Sequence, residues 1–184
     1  MIHLIQTALM FLTEYYLVRI RPVFLFLICE LLLVCVGATG VIRRKVAPLR
    51  CLAALFFSLY LGTVFAFTLF SRGMVETGVM IAPFHTIFDY MRDGQIFQLL
   101  EILFNCMLLF PYGLLFTVVF GKKADHLAIP TAFALSLLVE TSQLLFHLGI
   151  FDLDDLFFNT AGAACGVCCR RLFCGIAARH DPGA

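Results

Sequence analysis

CLAALFFSLYLGTVFAFTLF, residues 51–70, is twenty residues long and has no charged side chain. At the helical rise of 1.5 Å per residue it would extend about 30 Å, the thickness of a bilayer's hydrocarbon core. Working outward, the same reading repeats. Residues 22–42 form an apolar stretch with Glu30 as its only ionisable residue. Residues 102–120 are uncharged and contain Pro111 and Gly113, and the proline predicts a kink. Residues 127–149 are apolar around Glu140 and His147. A fifth span begins near Leu156, and its uncharged part stops at Cys169. That part covers only about 21 Å, so Arg170 and Arg171 must snorkel for it to cross.

The whole composition agrees. Of 184 residues, 62% are hydrophobic and 14% charged, against about 45–50% and about 25% in soluble domains. The expected fold class is all-α, a polytopic transmembrane helix bundle of about five spans over residues 22–177, with 178–184 as a tail. Residues 1–21 form an N-terminal interfacial helix or a marginal additional span. A net charge of +1 gives no basis for a nucleic-acid partner. Eight cysteines lie in or beside the apolar stretches without zinc spacing, and read as reduced packing residues.

Lys and Arg positions set the orientation. Arg43, Arg44, Lys45, Arg50, Lys122, Lys123, Arg170, Arg171 and Arg179 flank one side, nine in all, against Arg19, Arg21, Arg72 and Arg92 on the other. The richer side is expected to be cytoplasmic, with the C-terminus there. The 71–101 loop and the turn FDLDD, 151–155, then face outside a cell membrane. The loop is long and mixes charges with IAPF and IFDY, which is unlike a plain linker.

Three spans carry polar residues at i, i+4, i+7, i+11, the spacing of one helix face. They are Glu101, Asn105, Leu108, Tyr112; then Ser136, Glu140, Gln143, His147; then Asp155, Asn159, Gly162, Gly166. Helical rise puts Asn105 and Asn159 about 6 Å inward and Glu140 about 14 Å inward from the outer ends. A charge in mid-membrane costs roughly 2.5–3.5 kcal/mol, so Glu140 must face protein or water, be partnered, or be neutral. The candidate ligand-binding set is His85, Asn105, Glu140, Gln143, Asp152, Asp155 and Asn159. Plainer readings stand beside it. Asp152 and Asp154 suit the start of a helix, the amides suit interhelical hydrogen bonds, and Gly162-xxx-Gly166 suits close helix packing.

The pieces IAPF (81–84), NCMLLFPYG (105–113), SLLVETSQ (136–143) and FDLDDLFFNTAGAACG (151–166) resemble, in order, the motifs of the VanZ-like family of membrane proteins. The resemblance covers roughly residues 79–172. It implies a cell-envelope setting and an association with resistance to the glycopeptide teicoplanin, and it implies no reaction. IAPF lacks the Asn of the family's Asn-Leu-x-Pro-Phe loop, and a second departure matters more. Many members carry Arg three residues before the first Asp, and Gly149 stands there. Another cation, Arg72 or Arg92, or none, would then face the acids.

Two kinds of function are compatible with these features, with a third as the plain case. The first is an outer-leaflet site that binds or modifies an amphipathic envelope molecule, such as a lipid-linked cell-wall precursor or a lipoglycopeptide. Oxygen ligands of this sort would suit Mg²⁺ or Ca²⁺, but no motif calls for a metal or cofactor. No nucleophile motif marks an enzyme. The second is a small ion- or proton-coupled transporter or channel. The third is a scaffold whose polar stripes only join helices. Beyond membrane lipids, the sequence names no partner and no oligomeric state.

Overall fold

In the computed structural model, which describes residues 26–70 and 75–180, the chain is an all-α membrane protein. Two compact units divide near Gly62.

The first unit is a helix pair. Helix α1 is described over Phe26–Ile42 and α2 over Pro48–Phe65, continued by one π-helical turn, Ala66–Phe70, in the second unit. The turn between them follows Arg44, whose φ is +53°. The Lys45 N–H closes back on the Gly40 carbonyl, a Schellman-type stop. Glu30 is buried and accepts a hydrogen bond from Ser58 Oγ. The one acid of the first span therefore has a partner inside the pair. The expected helix at 1–21 lies outside the described residues.

The second unit holds α3 (His85–Asp93), α4 (Ile96–Phe120), α5 (Ala128–Leu145) and α6 (Leu153–His180). Helix α4 continues through Pro111 without a break. It packs against α6 closely enough that the backbones touch. A Cβ at Gly113 would run into the Ala163 carbonyl, one at Gly162 into the Cys106 carbonyl, and one at Gly166 into the Phe110 carbonyl. The small-residue face expected at 162–166 is this seam, with Gly113 supplying the matching gap from α4. Leu109, Ala163 and Val167 are buried along it.

Among the described residues, three stretches are long and apolar enough to cross a membrane: Pro48–Leu69, Ile96–Phe120 and Lys122–Leu145. The last combines a 3₁₀ stretch, Lys122–Leu127, with α5. Helix α6 has the length, but Arg170 and Arg171 dilute its apolarity. At that end Asp125, in the 3₁₀ stretch, accepts from Thr117 Oγ1 and pairs with Arg170 and Arg171, tying that stretch to α4 and α6.

The structure corrects two expectations. The fourth apolar stretch does not stay helical to residue 149. Helix α5 stops at Leu145, and His147 takes a left-handed conformation, φ +55°. Leu148 N donates to the Gln143 carbonyl at 2.8 Å, the long bond of a Schellman stop. His147 is therefore exposed in a turn and leaves the stripe of Ser136, Glu140 and Gln143, all buried. The cysteines are free thiols, as expected, but Cys29, Cys35, Cys165, Cys168 and Cys174 lie on exposed surface and fill no core.

Candidate functional site

The site begins with a two-residue parallel bridge. Val79 pairs with Phe151 and Met80 with Asp152, joining β1 (Val79–Met80) to β2 (Phe151–Asp152). Gly78 O accepts the Phe151 N–H at 3.0 Å and extends the bridge. The long loop is thus fastened to the FDLDD turn, and its IAPF segment is delivered over the start of α6.

Asp154 anchors the next element, α3. It is 1% exposed. Its Oδ1 accepts the Phe84 N–H at 2.5 Å and its Oδ2 the Thr86 N–H at 3.0 Å. These are orphan donors at the start of α3, so Asp154 caps a helix 70 residues away in sequence as well as sitting in the first turn of its own. The cap holds Phe84 at φ +59°, a conformation bulky residues seldom adopt. Helix α3 ends on Gly94, φ +64°, whose N–H returns to the Tyr90 carbonyl.

Asp152 does what a residue before a helix should do: its Oδ1 accepts the Asp154 N–H at 2.8 Å. Its own N–H donates to Glu140 Oε2 at 3.1 Å. Glu140, 2% exposed, thereby supports the turn from α5. His85, first residue of α3, lies between the two acids. Its Nδ1 is 3.1 Å from Asp154 Oδ2, and its Nε2 is 3.4 Å from Asp152 Oδ2. Burial pushes the Asp152 carboxyl up, against the lowering effects of the Asp154 N–H and His85.

The remaining candidates divide. Asn105 Nδ2 donates to Asp155 Oδ1, joining α4 to α6. Gln143 Nε2 donates to the Thr68 carbonyl at 3.3 Å, and Asn159 Nδ2 to Ser136 Oγ at 3.0 Å. Both amides bind helix to helix. Tyr112 also points into the bundle, its hydroxyl on Thr131 Oγ1.

Two hollows flank this framework. A cleft of about 670 Å³ is lined by Glu76, His85, Glu101, Asp152 and Asp155, with Gly149 in its wall. A groove of about 360 Å³ is lined by Phe84, Phe133, Leu156, Phe157 and Ala161, with Asp154 at its edge. The first is rich in carboxylates and the second almost wholly apolar. Phe157 closes edge-on against Phe84, ring centroids 5.0 Å apart.

The four motif pieces therefore meet at one end of α4, α5 and α6. A comparison with protein families matches the VanZ/LLP1 model over residues 50–174. The chain belongs to the VanZ/LLP1 family. Neither a curated protein nor a solved structure shows significant similarity to it.

For a VanZ-like protein, the glycine at 149 now has a setting, since it lines the acid cleft. Of the two arginines considered as a substitute, only Arg92 is among the described residues, and it does not line the cleft. Arg92 is taken up by Asp89 and Asp93 on the exposed side of α3, and Arg72 lies outside the described residues. Among the described residues, the basic side chain that faces the acids is His85. Helix α3 and the capping role of Asp154 between elements were missed from sequence. Helix α3 was signalled by Pro83 before it and Gly94 after it. The reach of Asp154 to Phe84 left no local trace.

Proposed function

We propose that this VanZ-like membrane protein holds an amphipathic molecule of the cell envelope. The polar head would sit in the carboxylate-lined cleft and the lipid chain in the apolar groove. The observation that carries this reading is adjacency. Phe84 and Asp154 border the groove, while His85 and Asp155, the residues next to them in the chain, border the cleft. A molecule with one polar and one apolar end matches that division, and carboxylates suit a head rich in hydroxyl or amino donors. A lipid-linked cell-wall precursor or a lipoglycopeptide has such a head, which agrees with the family's association with teicoplanin resistance. The distribution of Lys and Arg supports placing this end at the outer leaflet. A transport pathway has less support, because beyond the cleft the backbones of α4 and α6 touch at Gly113, Gly162 and Gly166.

The test uses the full chain in cells. A photoreactive residue at Phe157 should capture a lipid-linked precursor. Glu101→Gln with Asp155→Asn should weaken capture through the head, and Ala161→Phe should do so by filling the groove. Teicoplanin tolerance should fall in step at unchanged protein level. Full tolerance and undiminished capture in both variants would sink the proposal. Ion flux in liposomes that Glu140→Gln abolishes would favour transport.

A further inference from the structure

The geometry points to a divalent metal site of the zinc class, with His85 Nε2 and Asp152 Oδ2 as ligands and Asp154 as the group that orients the histidine. His85, Asp152 and Asp154 offer ligand atoms within 4.8 Å of one another. Their roles differ. His85 Nδ1 lies close to two oxygens, Asp154 Oδ2 at 3.1 Å and Ala82 O at 3.3 Å. In the tautomer with its proton on Nδ1, the ring donates to these oxygens. Nε2 then presents a lone pair, and it faces Asp152 Oδ2, a second electron-pair donor, at 3.4 Å. Two lone pairs so placed repel unless a proton or a metal ion lies between them, and the separation distinguishes a site able to take the ion.

The separation suits a metal. Bonds of about 2.0–2.1 Å opened to a tetrahedral angle set two ligand atoms about 3.4 Å apart. The support is also that of a metal site. A metal-binding histidine nearly always gives its other ring N–H to a carboxylate or carbonyl, which fixes tautomer and ring plane. Asp154 is itself fixed by the Phe84 and Thr86 N–H groups, and Asp152 by its bond from the Asp154 N–H. Both ligands therefore stand on capped helix ends. Both also line the cleft, whose wall carries Glu101 and Asp155 as well, so an ion held there would border the space open to a bound molecule. One imidazole with carboxylates favours a first-row divalent ion over Ca²⁺ or Mg²⁺. The site stands without the lipid reading. If both hold, the ion supplies positive charge to a cleft otherwise lined by acids.

The experiment uses the full chain in detergent, stripped with chelator and titrated with Zn²⁺ alone by calorimetry. One equivalent is expected to bind. His85→Gln and Asp152→Asn should each weaken binding at least tenfold, while the exposed-acid variant Asp89→Asn leaves it unchanged. Because Cys165, Cys168 and Cys169 are free thiols, the triple alanine variant is titrated too, and it should bind zinc normally. Co²⁺ replaces zinc for a second measurement on the unmodified chain. Tetrahedral visible bands without thiolate charge transfer are expected, and this readout stands if a ligand variant fails to fold. Absence of stoichiometric binding, binding that vanishes with the cysteines, or a thiolate cobalt spectrum overturns the site. Lipid capture at Phe157 is scored separately. Capture with no zinc site rejects the metal alone, and zinc binding with no capture rejects the lipid reading alone.

Discussion

Asp154 carries more structure than its place in the sequence suggests. A carboxylate in the first helical turn is ordinary, and local rules explain it through the helix dipole. Here the same group accepts two backbone N–H bonds from another element and faces an imidazole. Hydrogen bonds to a charged group are worth about 1.5–3 kcal/mol each, and buried donors left bare cost about as much. Asp154→Asn keeps the shape but can present one oxygen where two are used. The expected result is a loss of about 3 kcal/mol in detergent unfolding, with α3 detaching first in hydrogen exchange. Unchanged protection of Phe84 and Thr86 would show that the cap contributes little. The meeting of Asp155 with Asn105 was legible in part, because both lie on predicted stripes, although helical rise alone sets Asn105 level with Asn159. The pairing of Asp154 with Phe84 and Thr86 was not, since backbone donors have no residue signature.

At the scale of elements, the seam between α4 and α6 rests on absent side chains. Gly113, Gly162 and Gly166 leave room for the opposite backbone, which is how membrane helices gain close contact when lipid gives them no hydrophobic incentive. A methyl at Gly162 meets backbone, which cannot rotate away. Gly162→Ala should lower stability by about 2–3 kcal/mol, the cost of overpacking a tight contact. At Gly78 an added Cβ would meet Ile150 at ordinary contact distance. Gly78→Ala should change stability by less than about 0.5 kcal/mol, as at most surface positions. Equal losses in the two would mean that the seam is softer than its geometry. Sequence revealed Gly162 and Gly166 by spacing. It held no comparable sign for the end of α5, where His147 occupies a left-handed position usually taken by glycine, so the apolar run reads on to Gly149.

For the whole molecule, hydropathy made the membrane class plain, because uncharged runs of about twenty residues have few other uses. It showed less of the 71–101 loop, whose strand and helix are too short for a periodic signal and take their shape from the FDLDD turn. Orientation is the molecular property most open to direct measurement. Asp93 lies just before α4 and Lys123 just after it, so cysteines introduced there report the two ends of one helix. In a variant without native cysteines, Asp93→Cys should label from outside intact cells and Lys123→Cys only after permeabilisation. The opposite pattern would move the acid cleft to the cytoplasmic side.

The cap between Asp154 and α3 also sets an order of assembly. Phe84 and Thr86 leave the ribosome long before the carboxylate that will hold them, and β1 waits as long for β2. Helices α4 and α5 must be made in between. A nascent chain stopped short of residue 153 would contain Pro48–Leu69, Ile96–Phe120 and Lys122–Leu145, each apolar enough to enter a membrane, yet have no fastened loop, no histidine between acids and no cleft. Insertion and completion are therefore separate events in the life of this chain, and the second depends on the arrival of α6.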